Sequence, residues 1–312
     1  MIRPSRTSPA LLGAGLATIY VVWGTTYLGI RVGVETIPPF FLSGIRYILA
    51  GLILFGWVAL RGGLRKGWPS PRMWLSAVLT GTGLVAFGNG FLSWGEQYMA
   101  SGAAAIFIAT VPLWMTGMAR VFQGEPIRPL AAGGLVLGLA GLAVLVGPAV
   151  LQGGPVFAML ACLLAALGWA AATVYSRSAP FPDNPFQVAG MQMLSGGVVV
   201  LLFSLVTGDA ERFSFAHLSV RSEVAFAYLL LVGAVLGFGV FIWLVKVAPL
   251  PLLSTYAYVN PVVAVILGHF LLGEAVSLRT ILGGSVVILG VVLIVASQSQ
   301  PARTREAERN AA

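Results

Sequence analysis

The sequence predicts an all-α integral membrane protein: ten transmembrane helices arranged as two inverted five-helix repeats. Three observations predict it. Of 312 residues, 58% are apolar and only 9% are charged, against roughly a quarter charged in a soluble domain, so the surface this chain can build faces lipid. The apolar residues gather into ten segments of about 20 residues, the length at which a helix crosses a bilayer. Finally, the second half repeats the first.

The segments follow in order. Residues 1–9 form a short basic N-terminus with Arg3 and Arg6. Residues 10–30 have the look of a signal peptide, but their echo at Ala161 to Arg177 favours a first transmembrane helix. The further spans are 40–60, 72–94, 98–121, 130–149, 155–176, 186–207, 222–244, 250–272 and 279–297. Breaks fall where Pro, Gly and charge cluster, as at Ile37-Pro38-Pro39, Arg61 to Pro71, Pro180 to Pro185 and Gly208 to Arg221. Backbone in hydrocarbon must satisfy its own hydrogen bonds, which makes each span a helix. The ten-residue alternation of a membrane barrel is missing from the sequence. Residues 298–312 are polar and are expected to form a disordered tail.

The repeat is read by sliding the chain along itself. At an offset of 149, Gly88 meets Gly237, Trp94 meets Trp243, Pro112 meets Pro261, Gly124-Glu125 meets Gly273-Glu274, Gly134 meets Gly283 and Gly141 meets Gly290. At an offset of 146, Trp23 meets Trp169, Arg31 meets Arg177, Pro39-Phe40 meets Pro185-Phe186, Gly44 meets Gly190 and Gly51 meets Gly197. The repeats span 10–149 and 155–297. Five crossings are an odd number, so the second repeat is expected upside down relative to the first, an arrangement common in secondary transporters. With the N-terminus in the cytoplasm, thirteen basic residues fall on the cytoplasmic side and four, Arg31, Arg212, Arg221 and Arg279, on the other. The positive-inside rule then places both termini in the cytoplasm. A net charge of +8 does not point to nucleic acid, because the basic residues sit between apolar segments. The single cysteine, Cys162, excludes an internal disulfide.

These motifs resemble the EamA-type ten-helix branch of the drug/metabolite transporter superfamily. The carriers are Trp23-Gly24-Thr25-Thr26-Tyr27 with Arg31, Pro38-Pro39-Phe40 with Arg46-Tyr47 and Ala50, and the doubled block from Ala100 through Pro112 to Gly124-Glu125, repeated from Leu253 through Pro261 to Gly273-Glu274. The resemblance covers nearly all of residues 10–297. It implies a central cavity between the repeats, a multi-pass location in a bacterial inner membrane, and export of small metabolites by alternating access, as in YddG-like exporters of amino acids. It implies no cofactor and no metal. Substrate identity does not transfer with a fold.

Positions where the repeats agree are expected to serve the shared scaffold, and positions where they differ in polarity to meet an asymmetric ligand. Pro112 and Pro261 are read as mid-helix residues that release the carbonyls of Ile108 and Ala257. They serve either as bundle-shaping kinks or as hinges. Glu125 and Glu274 are read as carboxylates set at helix N-termini. The glycine pairs Gly134/Gly138 and Gly283-Gly284/Gly290 allow close helix approach, within the chain or in a homodimer. The asymmetric set is Thr25, Thr26 and Tyr27 against Ala171, Ala172 and Thr173; Asn89, Ser93 and Glu96 against Phe238, Ile242 and Val245; and Ser254, Tyr256, Tyr258 and Asn260 against Ala105, Phe107, Ala109 and Val111. Polar side chains in a membrane helix point into protein or a watery cavity, so Thr26, Tyr27, Asn89, Tyr256, Tyr258 and Asn260 are candidate substrate contacts, with interhelical hydrogen bonding as the plainer role. Trp23, Trp94 and Trp169 are candidate walls of an aromatic chamber that suits an amphipathic or zwitterionic substrate through cation–π contacts. Arg46 is the only basic residue well inside a span. It either binds a substrate carboxylate, or snorkels outward or pairs with Glu35 or Glu96.

Glu96 and His269 are the nearest candidates for a proton relay, and facilitated diffusion fits equally well. Two histidines and one cysteine make an intramembrane enzyme a poor fit. A phosphate-ester or nucleotide-sugar exchanger is expected to carry several cavity cations, and only Arg46 qualifies. A multidrug exporter of cations wants a buried carboxylate that the first helix lacks. The expected function is export of amino acids, aromatic ones included, and related small metabolites, with other small-metabolite or multidrug export as the alternative.

Overall fold

The computed structural model describes residues 8–65, 67–98, 104, 107–146, 155–272 and 277–299. The N-terminal residues, Glu274, the side chain of His269 and the polar tail beyond Ser299 lie outside the described residues. Among the described residues every regular element is a helix. In chain order these are α1 (Pro9–Gly33), α2 (Pro39–Leu60), α3 (Pro71–Gly95), α4 (Val111–Gln123), α5 (Pro129–Val146), α6 (Val156–Ser176), α7 (Pro185–Val206), α8 (Val220–Val247), α9 (Tyr256–Leu272) and α10 (Leu278–Ser299).

Local sequence sets most of the starts. Ser8, Ser70 and Asn184 each precede a proline and accept a hydrogen bond from a backbone N–H of the first turn, at 3.2, 3.4 and 2.9 Å. This is N-capping with proline at the first helical position. In α2, Pro38-Pro39 leaves the helix without a cap of its own. Asp209, beyond the C-terminus of α7, supplies one: its Oδ2 accepts from the N–H groups of Phe40 and Phe41, both at 3.1 Å. A carboxylate there also faces the positive end of the helix. Gly124 ends α4 with φ of 68°, the left-handed conformation that glycine adopts without strain.

Seven helices, α1, α2, α3, α6, α7, α8 and α10, are long and apolar enough to cross a membrane. The expectation of ten such spans is not met over the described residues. The helix α5 adjoins a segment outside them, and α4 starts only after the turn at Ala109–Thr110. The expected span 250–272 is divided into a short turn, Leu250–Leu253, and α9. The cause is local: the Ser254 and Thr255 hydroxyls donate to the carbonyls of Pro251 and Leu252, at 3.0 and 2.7 Å. Such bonds compete with the helical ladder.

Glycine governs the packing. Helices α2 and α7 lie antiparallel along one another. Gly44 meets Leu201, Gly51 meets Leu194, Gly190 meets Phe55 and Gly197 meets Ile48, so numbers rise on one helix as they fall on the other. Helices α5 and α10 do the same, with Gly134 against Ile294 and Gly141 against Val287. Two further antiparallel pairs complete the frame, α1 with α8 (Gly15 on Leu244, Gly33 on Leu229) and α3 with α6 (Gly83 on Ala172, Gly95 on Cys162). In addition α1 touches α9, and α4 touches α6. Within α3 and α8, Thr82–Phe91 and Leu229–Phe238 are wound as wide π-helix, a form that gathers at functional sites.

The proline expectation divides. Pro261 does sit inside α9. Pro112 does not sit mid-helix: a turn at Ala109–Thr110 ends the preceding helical stretch, and Pro112 falls in the first turn of α4. Its missing N–H is an orphan position there in any case, so the proline is accommodated.

The α2/α7 crossing makes a direct test. A Cβ on Gly51 would stand 2.7 Å from the Leu194 nitrogen and 2.9 Å from the Gly190 carbonyl oxygen, whereas one on Gly56 of the same helix meets nothing within 4 Å. Gly51→Ala is expected to lower the apparent melting temperature in detergent by several degrees, on the order of 1–3 kcal/mol for overpacking. Gly56→Ala should leave it unchanged or slightly raised. Thermal-shift measurement of the two variants side by side decides.

Candidate functional site

Two indoles meet at the centre of the bundle. Trp23 of α1 and Trp169 of α6 are edge to face, with ring centroids 5.4 Å apart. Each stands on a glycine: a Cβ on Gly88 would lie 2.5 Å from the Trp169 ring, and one on Gly237 would lie 2.7 Å from Trp23 Nε1. Both glycines belong to the π-helical stretches. Trp23 Nε1 donates to the Gly233 carbonyl of α8 at 3.2 Å. Phe241 lies 5.0 and 5.2 Å from the two indoles, and Tyr256 lies 5.0 Å from Trp23.

Against this junction lies a cavity of about 70 Å³, whose wall includes Trp23, Thr26, Tyr27, Arg46, Asn89, Trp169, Tyr256 and Asn260. Tyr47, Leu92, Ile108 and Val111 also line it. It is less than half of a cavity of about 150 Å³ that takes benzene, so the walls are drawn together in this conformation.

Arg46 is the one charged side chain of that wall. It is buried, at 2% exposure. Its guanidinium donates to Asn89 Oδ1 at 3.2 Å and lies 4.5 Å from the centre of the Tyr47 ring. Its Nε has no partner, and it forms no ion pair, among the described residues. The π-helix explains how Asn89 comes to serve: its Nδ2 donates to the Leu84 carbonyl five residues back, at 3.1 Å, which turns Oδ1 toward Arg46. Asn260 ties the far wall together. With its amide nitrogen turned toward them, it donates to the carbonyls of Tyr20 and Tyr256, at 3.2 and 2.9 Å. The Thr26 hydroxyl donates to the Trp23 carbonyl at 2.8 Å.

Two residues expected in the chamber lie elsewhere. Tyr258 is two positions from Tyr256, about 200° around a helix, so the two cannot face one cavity. Tyr258 points to the opposite side, between α5 and α10, and its hydroxyl donates to the Leu135 carbonyl at 3.0 Å. Trp94 lies at the end of α3 and packs on Tyr98 and Phe157, at 5.2 and 5.5 Å.

At the opposite end of the bundle a clasp closes. Arg177 at the end of α6 donates to Glu125 Oε1 at 2.9 Å and to the Ala248 carbonyl at 3.4 Å. Beside it Gln123 reaches the Val174 carbonyl at 2.7 Å. Glu125 thus serves an ion pair rather than a helix N-terminus alone. Sequence reasoning missed this pair, and it missed Phe238 and Phe241, which pack against Trp23, Trp169 and Tyr47. The signal for the aromatics was the mismatch of Phe238 with Asn89 across the repeats. It also missed a buried amide, Gln192, whose Nε2 donates to the hydroxyls of Thr80 and Ser176 at 2.9 and 3.0 Å.

The EamA-like transporter family model matches the chain twice, over residues 11–147 and 156–296. An uncharacterized inner membrane transporter of Escherichia coli strain K12, YedA, is 37% identical over 285 residues, covering 91% of this chain and 90% of its own. A chloroplastic WAT1-related protein of Arabidopsis thaliana is 29% identical over 288 residues, 89% of this chain and 68% of its own. A solved crystal structure superposes with a TM-score of 0.74 at 21% identity, over 94% of this chain and all of its own, which establishes likeness of fold.

The placement of Tyr258 yields an expected outcome. Tyr258→Phe removes one buried hydrogen bond, about 1 kcal/mol, and is expected to lower the apparent melting temperature by a few degrees. Transport should stay within about twofold of wild type, because the ring does not reach the cavity. Parallel melting and flux measurements check both halves.

Proposed function

The chain belongs to the EamA-like transporter family and is a multi-pass inner-membrane transporter; from that premise we propose that it exports amino acids, aromatic ones included, and related small metabolites by alternating access. One observation carries the substrate class: Arg46 is a buried cation in the cavity wall whose partners among the described residues, Asn89 and Tyr47, are both neutral. A guanidinium presents a fork that suits a carboxylate, and a buried one with unused donors is poorly satisfied until such a group arrives. The aromatic wall of Trp23, Trp169 and Tyr256 offers faces for an apolar side chain and for an ammonium group. A lipophilic cation finds no carboxylate among the described wall residues. A sugar nucleotide or phosphate ester finds one cation where several are wanted.

The antiparallel register of α2 on α7 and of α5 on α10 supports the inverted repeat. These are equivalent helices by the sequence offsets, and a two-fold axis in the membrane plane makes equivalent helices antiparallel. The charge count supports cytoplasmic termini, which puts the Arg177–Glu125 clasp on the cytoplasmic side. With the clasp shut, that side is fastened. The small volume of the cavity fits a closed intermediate between the two open states. Pro261, inside α9 beside Asn260, is the better placed of the two proline hinges.

Counterflow in proteoliposomes against a panel of labelled amino acids tests the reading. Wild-type protein is expected to accumulate one or more large apolar or aromatic amino acids. Arg46→Gln should reduce that flux at least tenfold, in line with loss of a charge-assisted contact of about 1.5–3 kcal/mol, while Arg46→Lys keeps part of it. Accumulation of a lipophilic cation, with no amino acid carried and no effect of Arg46→Gln, rejects the reading in favour of multidrug export.

A further inference from the structure

Glu96 follows Leu92 by one helical turn, and its N–H bonds the Leu92 carbonyl at 3.0 Å. Leu92 lines the cavity. Glu96 therefore sits one turn beyond the cavity, in the short link between the expected third and fourth spans. It is only 5% exposed. Neither carboxylate oxygen has a hydrogen-bond partner, and the side chain forms no ion pair, among the described residues. Among the described residues it caps no helix and clasps no loop. The groups that face it are Tyr27 and Arg31 from α1 and Cys162 from α6. The helix α2, packed on the same turn, contributes Arg46 and Tyr47, both in the cavity wall. Tyr27 belongs to both environments: it lines the cavity and it lies within electrostatic reach of Glu96.

An ionised carboxylate buried without partners is costly, and such a group keeps its proton instead. Burial lifts the Glu96 carboxyl to about 8, with the Arg31 guanidinium pulling the other way. We propose that Glu96 is a proton-binding site coupled to the cavity, so that a proton on Glu96 and a carboxylate at Arg46 bind together. The inference rests on the carboxylate reading of Arg46. The step is a simple protonation: a Glu96 O–H bond forms at the expense of one in hydronium or water, and breaks again by transfer to water. With Glu96 neutral, Arg46 gives the cavity wall a net positive charge. With Glu96 ionised, Arg31 faces it, and an anion stands one turn beyond the cavity wall at Leu92, where it opposes an incoming carboxylate. Linkage is reciprocal, so the ligand raises the proton affinity of Glu96 by the same factor that the proton raises the ligand's affinity.

Two measurements on the purified full chain in detergent test this. The first is infrared difference spectroscopy between pH 6 and pH 10, which needs no ligand. A protonated-carboxyl C=O band that persists at pH 7, is lost toward pH 10 and is missing in Glu96→Gln is expected. Its absence from wild type overturns the proposal. The second is equilibrium binding of 3-phenylpropionate, whose own carboxylate does not titrate in this range. Between pH 6.5 and 9.5 wild-type affinity is expected to fall roughly five- to tenfold, within the usual range of coupling. Glu96→Gln, which mimics the neutral acid, should hold the low-pH affinity throughout. A flat wild-type profile, or a fall that survives in Glu96→Gln, overturns the coupling. No binding at any pH with the infrared band present overturns the Arg46 reading and the coupling with it, while the proton on Glu96 stands.

Discussion

The contact between Trp23 and Trp169 is the constraint from which the rest of the structure is arranged. Two indoles can meet at the axis of a helical bundle only if the helices behind them come unusually close. Gly88 and Gly237 provide that room, each under the indole of the other half. The same two glycines lie in the π-helical stretches of α3 and α8, where the wider turn displaces the backbone outward. Close packing leaves the rings few alternative rotamers. The aromatic junction is therefore a closely packed septum, and the cavity lies beside it, lined by α1, α2 and α3 on one side and by α6, α8 and α9 on the other.

Symmetry makes the septum and asymmetry makes the site. Across the pseudo-equivalent positions of the two halves, Phe238 fills against Trp169 and Tyr47, while Asn89 spends its amide on the Leu84 carbonyl and its oxygen on Arg46. One half thus supplies packing and the other supplies polarity from the same place in the fold. A bundle of two identical halves would carry two half-sites. Here the polar side chains of the cavity wall come unequally from the two halves: Thr26, Tyr27, Arg46, Tyr47 and Asn89 against Tyr256 and Asn260.

Most of this arrangement was legible in the chain. Helical class follows from composition and segment length, because hydrocarbon forbids unsatisfied backbone. The repeat offsets named the glycines that set the α2/α7 and α5/α10 crossings. Polarity differences between the repeats picked out Asn89, Tyr256 and Asn260, all in the cavity wall. The exceptions have physical causes. Tyr258 was grouped with Tyr256 by polarity, when 100° per residue separates them. Trp94 was grouped by residue type, which does not encode depth along a helix. Pro112 was placed mid-helix because a hydropathy window does not register the turn at Ala109–Thr110. The Arg177–Glu125 pair links residues far apart in sequence, and no local pattern announces it. Its sequence equivalents are Arg31 and Glu274, the latter outside the described residues.

Arg46 shows why a site of this kind remains poised. Holding a guanidinium away from water is expensive, and the bundle offsets only part of that with the neutral side chains of Asn89 and Tyr47. A scaffold selected for stability alone would place an aliphatic side chain there, since buried ions rarely exceed well-packed apolar groups in stabilising a fold. The unmet donors are then most simply understood as a demand reserved for a ligand. A carboxylate that meets it gains charge-assisted bonds in a medium where they are strong, and needs only that the aromatic walls part far enough to admit it. In that view the aromatic septum and the buried cation are two parts of one device. On the proposed reading, the first sets the width of the cavity and the second supplies the binding energy for a carboxylate.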